Sequence, residues 1–194
     1  MKTLVSLAVL VLAAGCVPQT SPDLGVATVS TSSDMPKGIR HADGQAPVMV
    51  SVTGQARCQG LTPAQNAYAL GHVNTLRASA GLAPLRLESR LQQAAEQQAC
   101  DMAARGVMEH RGSASTGPKM RAKRLGYRPR IIAENIAAGA TSLFGVEGTM
   151  QAWTGSSKHR ANMLLRQARD MGIGHAKSPD GRVSYWSAVF AASK

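Results

Sequence analysis

Across 194 residues the sequence is 44% hydrophobic and 4% aromatic, and it carries 22 basic against 11 acidic side chains, a formal net charge of +11. A chain of this size closes one sizeable core with appendages rather than two independent cores. No glycine-rich phosphate or dinucleotide fingerprint follows any strand-like run.

The chain opens on Lys2, the apolar run TLVSLAVLVLAA and the closing LAAGC. Such a run is too short to span a bilayer as a mature helix and reads as a secretory signal. Its ending resembles the lipobox of bacterial lipoproteins, with Ala13 where Leu is most frequent. The resemblance implies acylation of Cys16 and a membrane partner reached through a lipid anchor; a cleaved signal without lipid is the alternative. Val17 rather than Asp after the cysteine is similar to Gram-negative lipoproteins sorted to the outer membrane.

Residues 17–60 are rich in Ser, Thr, Pro and Gly without a helical apolar period, and they read as a tether. Only PVMVSVT, Pro47–Thr53, alternates as a strand does. The domain is expected over residues 61–194, which hold 18 of the basic and 8 of the acidic side chains. Export permits a disulfide, and with Cys16 taken by lipid a Cys58–Cys100 bridge is the expectation, two separate thiols the alternative.

Within the domain, Thr62 as N-cap, Pro63 at N1 and Gly81 as the stop frame a first helix with Ala69, Leu70, Val73 and Leu76 on its buried stripe. A second runs through ESRLQQAAEQQACDMAAR, with Leu91, Ala94, Ala95, Gln98 and Met102 on one side and Gly106 ending it. Its alanines imply close packing against a neighbour. VMEHRGSASTG reads as a loop, and Pro118 opens a third helix that stops at Gly126. RIIAENIAAG then reads as a strand and LFGVEGTMQAWTG as a helix. MGIGHAK, the turn SPDG and RVSYWSAVFA form a hairpin. The expectation is a mixed α/β fold, about three antiparallel strands with helices packed on the faces.

Six cations, Lys119, Arg121, Lys123, Arg124, Arg128 and Arg130, fall between Arg111 and Ala133, where no acid occurs. Nucleic acid is the usual partner of such a run, but an exported chain rarely meets any. Anionic lipids or acidic envelope polymers are the better partners, and a solvated helix face is the plain alternative.

Three polar residues carry candidate chemistry. Glu134 interrupts an apolar strand, where a carboxylate requires a partner or a shifted pKa, and a salt bridge satisfies it as well as a functional role does. His110 follows the second helix. In WTGSSKHRANML, Ser156 as N-cap places His159 at N3, where the helix dipole favours the neutral imidazole that metal binding or general-base work requires. The same stretch admits a nucleophile with its base, a metal ligand with a helper, or a capped helix start.

EH at 109–110, AENIAAG at 133–139, the Trp153 stretch with HRANML, GIG at 172–174 and YW with Phe190 resemble, in that order, the CAP superfamily of cysteine-rich secretory, antigen 5 and pathogenesis-related 1 proteins. Asn74, Arg77 and LAPL at 82–85 are similar to its compact bacterial branch. The resemblance covers nearly all of residues 61–193. It implies an α-β-α sandwich whose cleft places His110, Glu134 and His159 where the family can hold a divalent metal such as zinc. Ser156 stands where many eukaryotic members have a second acid.

Three functions follow as expectations. The first is a lipid-anchored envelope protein whose cleft, formed by His110, Glu134, Ser156 and His159, binds a ligand or a metal without catalysis. The second is a hydrolase that uses the two imidazoles with a metal, or Ser156 with His159 and Glu134. The third is an interaction module that works through its basic surface.

Overall fold

A computed structural model describes residues 47–194. The signal, Cys16 and most of the segment read as a tether lie outside the described residues.

The domain starts upstream of residue 61. Strand β1, Val48–Met49, pairs antiparallel with β3, Val107–Met108, inside the stretch read as a loop. Arg57 bridges to Lys177, and Cys58 is disulfide-bonded to Cys100. The bridge closes 42 residues of sequence separation and fastens this leading segment to a helix. In the chain-entropy picture a loop of that size stabilises by about 4 kcal/mol.

Helix α1, Pro63–Ser79, begins with a full capping box. Thr62 Oγ1 accepts from the Gln65 backbone N–H at 3.3 Å, and Gln65 Oε1 accepts from the Thr62 N–H at 2.9 Å. The predicted stripe holds at Ala69 and Val73, and Arg77 extends it, fully buried. No carboxylate pairs with Arg77 among the described residues; its guanidinium donates to the carbonyls of Ala83, Met163, Leu165 and Ala168 at 2.8–3.3 Å. Asn74 holds both backbone groups of Leu85 at 2.8 and 2.9 Å. The Asn74 and Arg77 pair therefore organises the LAPL turn and the end of the helix that carries His159.

The main sheet has the order β2-β5-β6-β4. Its three long strands, β4 (Pro129–Ala140), β5 (Asp170–Lys177) and β6 (Val183–Ser193), are antiparallel as the sequence suggests. Strand β2, Arg86–Leu87, adds a parallel edge too short to leave a sequence signal. Where it ends, Gln92 Oε1 accepts from the Ile173 N–H of β5 at 3.0 Å, so a helix side chain serves the sheet edge.

Helices cover both faces. Trp186, Ala188 and Phe190 of β6 meet α1, α4 (Val146–Gly155) and α5 (Ser157–Met163). Tyr185, Val189 and Ala191 meet α2 (Ser89–Arg105) and α3 (Pro118–Arg124). This two-sided burial is why β6 carries apolar side chains on both faces, with Ser184 and Ser187 as buried polar exceptions.

The GIG sequence sets the distance between α2 and the sheet. A Cβ on Gly172 would lie 2.1 Å from the Gln92 nitrogen, and one on Gly174 would lie 2.3 Å from the Ala95 carbonyl carbon. Backbone rests on backbone, and the helix meets it with Ala94, Ala95, Ala99 and Ala103, all fully buried. Gly174→Ala is therefore expected to force α2 off the sheet and to lower stability by about 3 kcal/mol, the upper part of the overpacking range, read as a drop in thermal midpoint. A midpoint unchanged from the parent would show that the layers part freely.

Candidate functional site

Strand β4 lies at the sheet edge and serves both layers. Ile136 joins the α2 side, and Ala137 joins the α1/α4 side. By the same alternation Glu134 projects towards α3 and Asn135 towards α5.

Glu134 is 2% exposed and engages three groups. Its Oε2 lies 2.8 Å from His110 Nδ1, and its Oε1 accepts from Arg121 Nη2 at 2.5 Å and from Ser187 Oγ at 2.9 Å. Burial pushes its pKa up, but the Arg121 charge and the His110 and Arg121 hydrogen bonds outweigh that and hold it below the usual carboxylate value.

The sequence reading puts Arg121 on an exposed anion-binding patch. The structure instead leaves it 4% exposed, with Nη1 donating to the His110 carbonyl at 3.1 Å and to Ser115 Oγ at 2.9 Å. The reason is helical position: α3 turns Arg121 and Ala122 inward and leaves Lys119, Lys123 and Arg124 outside. Arg121 is thus the salt-bridge partner that a carboxylate in an apolar strand requires.

The His110 loop is held from α2. Arg105 bonds Asp101 at 2.8 Å, Glu109 at 3.0 Å and the Arg111 carbonyl at 2.7 Å, and the Gln98 amide donates to the Glu109 carbonyl. Between loop and helices lies a polar cavity of about 230 Å³ whose walls include Gln98, Asp101, Ser115, Arg121 and Arg124. Gln98 Oε1 and Arg121 Nε are buried without a hydrogen-bond partner among the described residues. An acceptor and a donor are therefore left unsatisfied on residues that line one cavity.

On the other side of β4, the WTGSSKHRANM stretch is fastened to the strand. The edge carbonyls of Glu134 and Ile136 accept from Asn162 Nδ2 at 3.3 Å and from Trp153 Nε1 at 3.2 Å. Asn135 Nδ2 donates to the His159 carbonyl at 3.0 Å, and Asn162 Nδ2 also donates to Asn135 Oδ1 at 2.9 Å. Ser156 occupies the N-cap position of α5, as read from the sequence, but its side chain makes no cap hydrogen bond. His159 is at N3, its ring 6.4 Å from that of Trp153.

The structure thus joins His110 and Glu134 directly and brings His159 to the same strand through its carbonyl. Among the described residues no three His, Cys, Asp or Glu side chains form a group that could hold a metal. Both Glu134 oxygens are already engaged, so the set does not fit a three-ligand zinc site, and the carboxylate orients His110 from behind. Sequence reasoning gives Arg121 the wrong role, a surface cation rather than the partner of Glu134, and misses Asn135 and Asn162, which fasten α5 to β4. A signal for each exists: one buried cation is owed to Glu134, and the two amides stand inside the AENIAAG and HRANML stretches.

A family model described as CAP, the cysteine-rich secretory protein family, matches residues 70–190. The uncharacterized protein YkwD of Bacillus subtilis (strain 168) is 28% identical over 117 residues, covering 60% of this chain and 43% of its own length. The match therefore spans less than half of that protein. Among solved structures, an outer surface protein from Borrelia burgdorferi superposes with a TM-score of 0.61 at 17% identity, over 70% of this chain and 98% of that one. An extracellular protein containing an SCP domain from Bacillus anthracis superposes with a TM-score of 0.58 at 22% identity, over 69% of this chain and 44% of that one.

Glu134→Gln keeps the shape but leaves Arg121 buried without its counter-charge, so a loss of about 3–5 kcal/mol is expected at neutral pH. Because the folded pKa lies below the unfolded value of about 4.3, this contribution is complete above that pH and is lost as pH falls through the folded value. Thermal midpoints of parent and variant should converge in acid, and a gap constant with pH would separate the effect from ionisation.

Proposed function

The chain belongs to the CAP, or cysteine-rich secretory protein, family, and we propose that it is an extracytoplasmic, lipid-anchored domain that binds a small polar ligand without covalent chemistry. The observation that carries the reading is the polar cavity beside the His110–Glu134–Arg121 network, with the unsatisfied acceptor of Gln98 and donor of Arg121 on residues in its wall. A small polar ligand there meets the carboxamide, carboxylate, hydroxyl and guanidinium groups of the lining residues.

Hydrolysis is less well supported. Ser156 sits at the N-cap of α5, and both oxygens of Glu134 are engaged by His110, Arg121 and Ser187, so the orienting role that a Ser156–His159–Glu134 triad asks of the carboxylate is taken up by other groups. A divalent cation remains a second ligand class for the two imidazoles, with Glu134 behind His110 rather than in the coordination shell.

Two measurements test this. Cys16→Ser should move the protein from the membrane fraction to the soluble fraction, and a variant that still sediments with membranes after a salt wash rules out the lipid. In calorimetry, acetamide is the probe for the cavity: heat of binding is expected from the parent and its loss from Gln98→Leu. The same titration with Zn²⁺ above pH 7 reads the cation, whose uptake should fall with acid and in His110→Ala and His159→Ala. Uptake retained by both histidine variants removes the imidazoles from the reading, and no heat with either probe removes the binding site.

A further inference from the structure

Of the basic run Arg121 is turned inward, and Arg124, though exposed, donates to the Ala114 carbonyl, which leaves the other four cations on the outer side. That outer side is concave. Lys119 and Lys123 of α3, Arg128 and Arg130 around Pro129, and Lys194 line a groove of about 500 Å³, and Pro129 is its one uncharged wall residue.

Three features of the backbone assemble it. Lys119 and Lys123 are four residues apart and share a helix face. The pairing of β4 with β6 shifts register between Pro129 and Ile131, an irregularity of the kind that re-aims side chains at a strand end. The Lys194 N–H donates to the Arg128 carbonyl at 3.1 Å and brings its side chain to the same mouth.

No acidic side chain lines the groove, and none of its five cations makes a side-chain ion pair among the described residues. Like charges gathered at one concavity repel, and an anion seated between them removes that cost.

We propose that this groove binds a compact ligand carrying two or more phosphate groups. A phosphate monoester brings about −1.5 to −2 charges and a diester one, so two or three clustered phosphates offset most or all of five cations within the space available. The two guanidiniums offer planar forks to phosphate oxygens, and the ammoniums add point charges. A single-stranded nucleic acid is disfavoured, because no aromatic side chain lines the groove to stack a base. Concavity favours a projecting headgroup or a free anion over a flat charged surface, which would reach only the rim. The site shares no residue with the His110 and Glu134 network, so it stands or falls separately from the ligand reading above.

The test is titration of the full chain in neutral detergent with inorganic tripolyphosphate, followed by calorimetry. Binding should weaken as salt rises, and Lys123→Gln with Arg130→Gln should raise the Kd by about tenfold or more, from two lost charge-assisted contacts. Arg166→Gln with Arg182→Gln, an equal charge change at two exposed positions elsewhere, should leave it nearly unchanged. Flotation then separates the sources. A groove-dependent preference for phosphatidylcholine vesicles doped with cardiolipin, over vesicles with the same total charge as phosphatidylglycerol, supports a bisphosphorylated headgroup. Tripolyphosphate binding without that preference supports a soluble anion. Failure of tripolyphosphate to bind, or equal weakening by both variant pairs, overturns the proposal and reduces the groove to general surface charge.

Discussion

At Gly172 and Gly174 helix α2 lies on strand β5 backbone against backbone, and the other layers are placed by that contact. The glycines of GIG remove the obstruction on the strand, and the alanine face of α2 removes it on the helix. Dispersion contacts fade within an ångström of separation, so such a seat is tight or lost. Once α2 is seated, Cys100 meets Cys58, Gln92 reaches the edge of β5, and Gln98 and Arg105 hold the loop that presents His110.

Glu134 is the second constraint and couples three parts of the molecule. A buried carboxylate stripped of its partners is costly, and the same holds for the buried guanidinium of Arg121. The strand, the helix α3 and the His110 loop must therefore arrive together for either charge to be satisfied. Across the strand, Trp153 and Asn162 occupy carbonyls that an edge strand otherwise presents to water or to another chain. Much of the WTGSSKHRANM sequence is thus accounted for as the covering of an edge, with His159 carried on it.

The helices are legible in the sequence because their ends are punctuated: Thr62 and Pro63, Gly106, Pro118. The hairpin is legible from its alternation around SPDG. The bridge between Cys58 and Cys100 is the expectation once Cys16 has another role, and the structure holds it. Two-residue strands leave no periodicity, so β2 and β3 escape a sequence reading, β1 shows only as a weak alternation, and the domain edge is read too late. Glu134 stands out as a polar residue in an apolar run, but its partner is hidden among six cations of similar appearance, and only the turn of a short helix decides which faces inward. Ser156 shows the converse: its position is readable, but its side-chain bonding is not. Arg77, embedded in an apolar stripe, is readable as a resemblance but not as the clamp for four carbonyls that it proves to be.

The sheet order has a consequence for how the chain acquires its structure. The last strand in sequence, β6, is a central one, paired with β5 on one side and β4 on the other. A chain emerging N-terminus first, from a ribosome or through a membrane pore, can wind its helices early but has no register for β4 until residues 183–193 arrive. Nearly all ladder bonds of the sheet wait for that strand, the β5 pairs closing across a local hairpin and the β4 pairs across a long stretch of chain, and the second set slows folding relative to the helix content. Until that strand arrives Glu134 lacks the Ser187 hydroxyl, and both core layers lack the side chains of β6 on which they close.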